Sequence, residues 1–273
     1  MSGTPTGARA ALPRGVPRQP RWAICYSDEE PPSAFAGYAL VVLDSESHPP
    51  LAPLITAGQA LLGYISLGEV NDSRPYFAAI KRQGLLIEAN PNWPGSFFLD
   101  IRLPEWRRRV VEALIPPILA AGFRGLFLDT LDSPLYLEDR SPKTFAGMRE
   151  AARALIAAIR RAYPHITLMM NRAYALLPNV EVEIDVALGE SVRSDYDIAS
   201  KTYRLVPDDL YRQQVNILRA AQWRRPRLRV FTLDYWDPAD VTGLRKIYAA
   251  ERANGFDPYV ATVDLDRLVP EPA

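Results

Sequence analysis

The feature that most constrains the fold is a recurrence. Short apolar runs of strand length alternate with helical segments, and most of the runs stop at a carboxylate or its amide. The sharpest case is Gly122–Asp132, GFRGLFLDTLD, where Leu126, Phe127 and Leu128 run into Asp129 and a second carboxylate, Asp132, follows three residues later. Such runs build buried strands, and a carboxylate beside one is costly unless it is paired or at work. For Asp129 taken alone, capping a helix or closing a turn explains it equally well.

The strand candidates in order are Trp22–Ser27, Tyr38–Leu43, Leu61–Leu67, GLFLD at 125–129, Ile166–Met170, Asp185–Gly189, Leu228–Leu233 and Pro258–Val263. Helical patterns cover Arg74–Arg82, a stretch from Pro104 to Ile115, Lys143–Tyr163, 207–223 and 238–254. Pro104 suits a first helical position, Pro116 and Pro117 predict a kink or a break, and Gly122 ends that helix. Lys143–Tyr163 carries the clearest apolar stripe, through Met148, Ala152, Leu155, Ile156 and Ile159. A supplementary extended segment is expected at 97–101, with Asp100 inside FFLDIR. The chain between the first two runs is too short for a full crossover helix, so the first βα unit is abbreviated. Strands alternating with helices predict a parallel sheet, and eight of them predict a closed (β/α)8 TIM barrel of the α/β class. An open doubly wound sheet fits less well, because no Gly-rich loop follows the first strand.

At 273 residues the chain matches the ~250 residues of one such barrel. Residues 21–273 are therefore taken as a single domain. Residues 1–20, rich in Pro, Gly, Arg and Ala, read as a disordered tail or as the remnant of a trimmed export signal. They lack the apolar core of a signal peptide. Lys plus Arg equals Asp plus Glu at 32 each, so no global field favours nucleic acid. No apolar run has the length of a membrane span. The single Cys25 excludes an intrachain disulfide.

In a barrel the chemistry sits where the strands end. Those ends read Asp44, Glu69, Asp129, Asn171, Glu190 and Asp234. Five carboxylates at one mouth repel one another, so a functional reading of the set outweighs a structural one. Neither His48 nor His165 is placed for a zinc site or a nucleophilic triad, and none of the four lysines closes a strand. No metal or cofactor is expected. Glycoside hydrolysis uses two carboxyl groups across a sugar, with aromatic residues as platforms. Tyr26, Tyr64, Trp93, Tyr174, Tyr235 and Trp236 all lie at or near strand ends.

GYISLGE (63–69), FFLDIR (97–102), GFRGLFLDTLD (122–132), Asn171-Arg172, GES (189–191) and LDYWDP (233–238) together resemble glycoside hydrolase family 114 and the related PelA-like hydrolase domain of exopolysaccharide systems. The resemblance implies a barrel that cleaves α-1,4-linked galactosamine polymers internally, acting outside the cytoplasm, in secreted or periplasmic form. It implies Asp129 and Glu190 as the catalytic pair. Asp44, Glu69, Asp100, Asn171, Asp234, Tyr26, Tyr64, Tyr235 and Trp236 are then candidates to hold substrate. A partly deacetylated galactosamine chain is cationic, and an acidic mouth attracts it. Two other readings stay open: a non-catalytic barrel that only binds carbohydrate, and a hydrolase of a different amino-sugar glycan.

Overall fold

Each of the eight apolar runs becomes a strand of one parallel sheet. In the computed structural model, which describes residues 21–272, these are β1 Trp22–Cys25, β2 Leu40–Asp44, β3 Ala60–Ser66, β4 Gly125–Asp129, β5 Thr167–Asn171, β6 Val186–Glu190, β7 Arg229–Tyr235 and β8 Asp257–Ala261. They pair in chain order. Where β8 returns to β1, Trp22 donates its indole N–H to the Asp257 carbonyl at 2.9 Å. Its ring packs against Phe231 and Tyr259, with centroids 5.3 and 5.6 Å away. The result is a nearly closed (β/α)8 barrel whose last and first strands are bridged by a buried tryptophan. The expected tail at 1–20 lies outside the described residues.

Three boundaries differ from the sequence reading in ways that bear on function. Strands β6 and β7 include Glu190 and Asp234 instead of stopping before them, as β4 includes Asp129. Successive strand residues point to opposite faces, so membership of the strand decides which carboxylates look into the barrel. The supplementary segment at 97–101 is one strand, Ser96–Leu99, of a three-stranded antiparallel sheet with Glu69–Asn71 and Leu86–Ala89, inserted after β3. The polar loop after β6 folds into a hairpin, Ser194–Asp197 with Thr202–Leu205.

The helix from Pro104 to Ala121 runs through a π turn at Val110–Leu114. Pro116 and Pro117 have no N–H to give the preceding turn, and the ladder widens just before them, with Ile115 N–H reaching Val110. Gly122 ends the helix at φ +119°. The expected helix from Lys143 starts only at Met148, after Gly147 at φ +87°, and an unanticipated helix, Asp132–Arg140, precedes it. At the opposite end of the barrel from the site, buried Arg160 pairs with Asp185 at 2.6 Å and donates to the carbonyls of Glu183, Pro164 and Ile166.

Candidate active site

Six side chains on six strands meet at the carboxyl-terminal mouth: Tyr26 just beyond β1, Tyr64, Asp129, Asn171, Glu190 and Tyr235. The centre is Asn171, whose single Nδ2 donates to Asp129 Oδ1 at 2.9 Å and to Glu190 Oε2 at 2.6 Å. An amide nitrogen carries two hydrogens, one for each carboxylate. Those two oxygens are therefore no farther apart than the sum of the two bonds, about 5.5 Å. Tyr235 donates its hydroxyl to Glu190 Oε1 at 2.5 Å, and the buried Tyr64 phenol stands beside Asp129, its ionisation pushed up by burial and by that neighbour's charge. Tyr26 packs edge-on against Tyr64 at 5.2 Å, and Tyr64 stacks on Phe127 at 6.1 Å. Burial pushes the Asp129 carboxyl up to about 6; the neighbouring Glu190 charge adds to this and the Asn171 amide opposes it.

The backbone is bent at the same places. Thr130, Arg172 and Ser191, the residues immediately after Asp129, Asn171 and Glu190, have φ of +60°, +47° and +54°. Non-glycine residues held there cost about 1 kcal/mol or more each, and surrounding contacts must impose the conformation. For Thr130 those contacts are visible. Its hydroxyl accepts from the N–H groups of Leu67 and Gly68 at 3.1 and 2.9 Å and donates to the Asp129 carbonyl at 2.7 Å. Gly68 must be glycine, because a Cβ there would sit 2.1 Å from the Thr130 carbonyl oxygen and 2.7 Å from Pro134 Cδ. Gly68→Ala is expected to force the β3 and β4 ends apart, destabilise the fold by about 1–3 kcal/mol and lower kcat with it. A thermal melt together with steady-state kinetics checks this.

Several residues expected to hold substrate are engaged elsewhere. Asp44 takes a two-pronged hydrogen bond from Arg74, at 3.0 and 2.6 Å, and two more from the Glu46 and Ser47 N–H groups. Burial raises its carboxyl, but Arg74 and the two N–H groups outweigh that and hold it below the ordinary range. Glu69 is buried and accepts from Asn90 Nδ2, Ser96 Oγ and Ser133 Oγ, which fastens the inserted sheet to the helix after β4. Asp100 is clasped by Arg102, which also reaches the Thr144 and Ala146 carbonyls. Asp234 is fully buried and faces outward from β7, because Tyr235 next to it faces inward. Its Oδ1 accepts from the N–H groups of Arg193 and Ser194 at 2.7 and 2.8 Å. Trp236 lies over Gly243 and donates to Asp240 at 3.0 Å, away from the Tyr26–Tyr64–Tyr235 cluster.

Asp132, the second carboxylate of GFRGLFLDTLD, and Tyr174 are also at the mouth, with Gln214 and Thr130, which the sequence reading does not name. Asp132 stands at the rim, 3.9 Å from the half-exposed Arg172 guanidinium. Gln214 accepts from Tyr174 at 3.0 Å and donates to the Ser191 carbonyl at 3.0 Å, bracing the loop after Glu190. The hydroxyl of Thr130, directly after a strand-end carboxylate, was the one legible hint. Among the described residues no group of His, Cys, Asp and Glu side chains is arranged to hold a metal ion, and no helix is long and apolar enough to cross a membrane.

This geometry has counterparts. The glycoside hydrolase domain of PelA from Pseudomonas aeruginosa superposes with a TM-score of 0.79 at 28% identity, over 92% of this chain and 98% of that one. Ega3 from Aspergillus fumigatus, in complex with galactosamine, shares the fold with a TM-score of 0.72 at 15% identity, over 98% of both chains. An uncharacterized protein of Deinococcus radiodurans is 28% identical over 219 residues, 78% of this chain and 67% of its own length. The description of glycoside-hydrolase family GH114 matches residues 3–272. The chain is a glycosidase and belongs to glycoside-hydrolase family GH114.

Proposed function

We propose that this glycosidase cleaves α-1,4-linked galactosamine or N-acetylgalactosamine polysaccharide within the chain, with Asp129 as nucleophile and Glu190 as proton donor. The observation that carries the reading is the Asn171 amide, which holds the two carboxylates no more than about 5.5 Å apart at their near oxygens. That spacing supports a retaining reaction, for which ~5–5.5 Å is characteristic, over an inverting one at ~6.5–9.5 Å. Asp129 attacks the anomeric carbon while Glu190 gives its proton to the departing glycosidic oxygen. Water then attacks the same carbon, loses its proton to Glu190 and releases Asp129. Each Glu190 oxygen already accepts one bond, from Asn171 or Tyr235, and keeps a second lone pair for the proton in transit.

The substrate assignment is supported by the company the chain keeps, a galactosamine complex among its structural counterparts. Charge supports it too. Asp129, Asp132 and Glu190 gather at the mouth of a chain with no net charge, and they would draw in an ammonium-bearing sugar locally. Tyr26, Tyr64 and Tyr235 would line the floor on which the reacting sugar rests.

Digestion of partially acetylated α-1,4-galactosamine polymer, with products sized by mass spectrometry, tests the reading. Internal cleavage gives a spread of oligomers early in the reaction. Monomer alone, or no product, overturns it. Asp129 acts as the anion, and its carboxyl is pushed up to about 6. The acidic limb of kcat/KM is therefore expected near pH 6, with activity falling as the pH drops through it. Asn171→Ala removes a donor that favours the anion and should move that limb upward, which a pH–rate profile reads directly.

A further inference from the structure

The helix after β2 is only six residues long, Leu51–Thr56, and the helical ring is thin beside β3. A cavity of about 420 Å³ opens there, between the loops after β2 and β3 and the helix from Pro104 to Ala121. Cavities of this size take a sugar-sized ligand. Tyr64 lines the cavity and also neighbours Asp129, so the cavity adjoins the catalytic pair. Another wall is apolar, made by Ala113, Leu114, Pro117 and Ile118.

The polar groups narrow the choice of ligand. Arg74 is committed to Asp44 and to Glu46, 3.2 Å away. Arg109 is not. Its Nη2 donates to the neutral Gln83 Oε1 at 2.8 Å, its Nε is a buried donor without a partner, and no carboxylate pairs with it among the described residues. An unneutralised guanidinium disfavours an ammonium group and calls for an acceptor. Glu46 on the same cavity disfavours a carboxylate. With Asp44 behind Arg74, two cations and two anions balance, which suits a neutral ligand that offers a carbonyl and a small apolar group.

An acetamido group has both. We propose that this cavity is a subsite for an N-acetylated hexosamine residue of the substrate chain. Arg109 donates to the acetamide carbonyl, and the wall from Ala113 to Ile118 covers its methyl. The assignment rests on the reading of the substrate as a galactosamine polymer. It deepens that reading by making acetylation at this position a determinant of which bonds are cut.

The test compares fully acetylated with fully deacetylated α-1,4-galactosamine oligomers. Arg109→Leu is expected to lower kcat/KM on the acetylated oligomer about 10–100-fold, mainly through KM, and to leave the deacetylated oligomer unchanged or improved. Ala113→Phe, which fills the apolar wall, should give the same selective loss. Gln83→Ala removes only the partner of Nη2 and should leave both rates near wild type. Equal losses on both oligomers, or none, overturn the subsite, as does a wild type that cleaves only the deacetylated oligomer. Should wild type cleave neither, the glycan reading itself is wrong. Calorimetric binding of the acetylated oligomer then decides the cavity separately, with equal affinity in wild type and Arg109→Leu overturning it.

Discussion

Asp129→Asn is expected to reduce kcat on galactosamine polymer on the order of 10⁴-fold, as loss of a nucleophile does, with substrate binding nearly unchanged. Glu190→Gln should cost about 10²–10⁴-fold on the same polymer. The two variants separate on an aryl α-galactosaminide with a good leaving group. Departure of that group needs no proton, so Glu190→Gln should recover most of its first-step rate and show a burst, whereas Asp129→Asn should not. The opposite pattern would exchange the two roles, which is the arrangement the burial of Asp129 by itself would favour. Stability should move the other way from activity. The carboxyl of Asp129 is raised by folding, so its contribution to stability is complete below its ordinary value near 3.8 and is lost as the pH rises through about 6. Above that pH Asp129→Asn should melt higher than wild type, and a drop in Tm instead would mean that the amide disrupts the Asn171 bridge.

The second large effect is expected at Asp234, which is fully buried behind the mouth. Its Oδ1 binds the N–H groups of Arg193 and Ser194, three and four residues after Glu190, and so holds the turn that follows that strand. Asp234→Ala leaves the buried Ser194 N–H unsatisfied, at about 1–3 kcal/mol, and releases the partly buried Arg193 N–H as well. Unfolding by urea should show the loss, and kcat should fall with KM little changed as Glu190 drifts from Asn171. Asp234→Asn keeps an acceptor at Oδ1 and should restore most of both. If Asn is as damaging as Ala, the charge matters and the hanging-turn account is wrong. Behind Asp234 lies fully buried Glu251, and the carboxyls of both are raised, each by burial first and that of Glu251 further by the Asp234 charge. Two such anions can share this space only by keeping a proton. The stability they contribute is complete below about pH 4 and is lost as the pH rises through the folded values. That makes Asp234→Asn most favourable on the alkaline side.

Much of the site was readable because barrels place chemistry where apolar runs stop. Asp129, Asn171 and Glu190 each end a strand and do meet at the mouth. Asp234 shows the limit. It also follows an apolar run, but its strand continues through Tyr235, and one residue of strand length reverses the direction of a side chain. Tyr235, read as a stacking platform, turned out to be the hydrogen-bond partner of Glu190. Glu69 was read as a mouth carboxylate because it follows YISLG. The residues that saturate it, Asn90, Ser96 and Ser133, lie in an inserted sheet and a later helix that periodicity did not reveal.

The sequence by itself determined the alternation of strands and helices, the parallel order, and a set of carboxylates at the strand ends, from which the resemblance to family 114 singled out Asp129 and Glu190. Those follow from hydrophobic periodicity and from local turn chemistry, which act over a few residues. Tertiary structure alone decided which carboxylates are free for chemistry. Asp44 is held by Arg74, thirty residues away, and Asp100 by Arg102, only two residues on but braced against the loop near Thr144. A carboxylate's availability depends on the donors folded around it, and donors brought in from distant segments leave no periodic trace in the chain. The Arg109 cavity has the same origin, since it exists only where the short helix after β2 leaves the flank of a later helix uncovered.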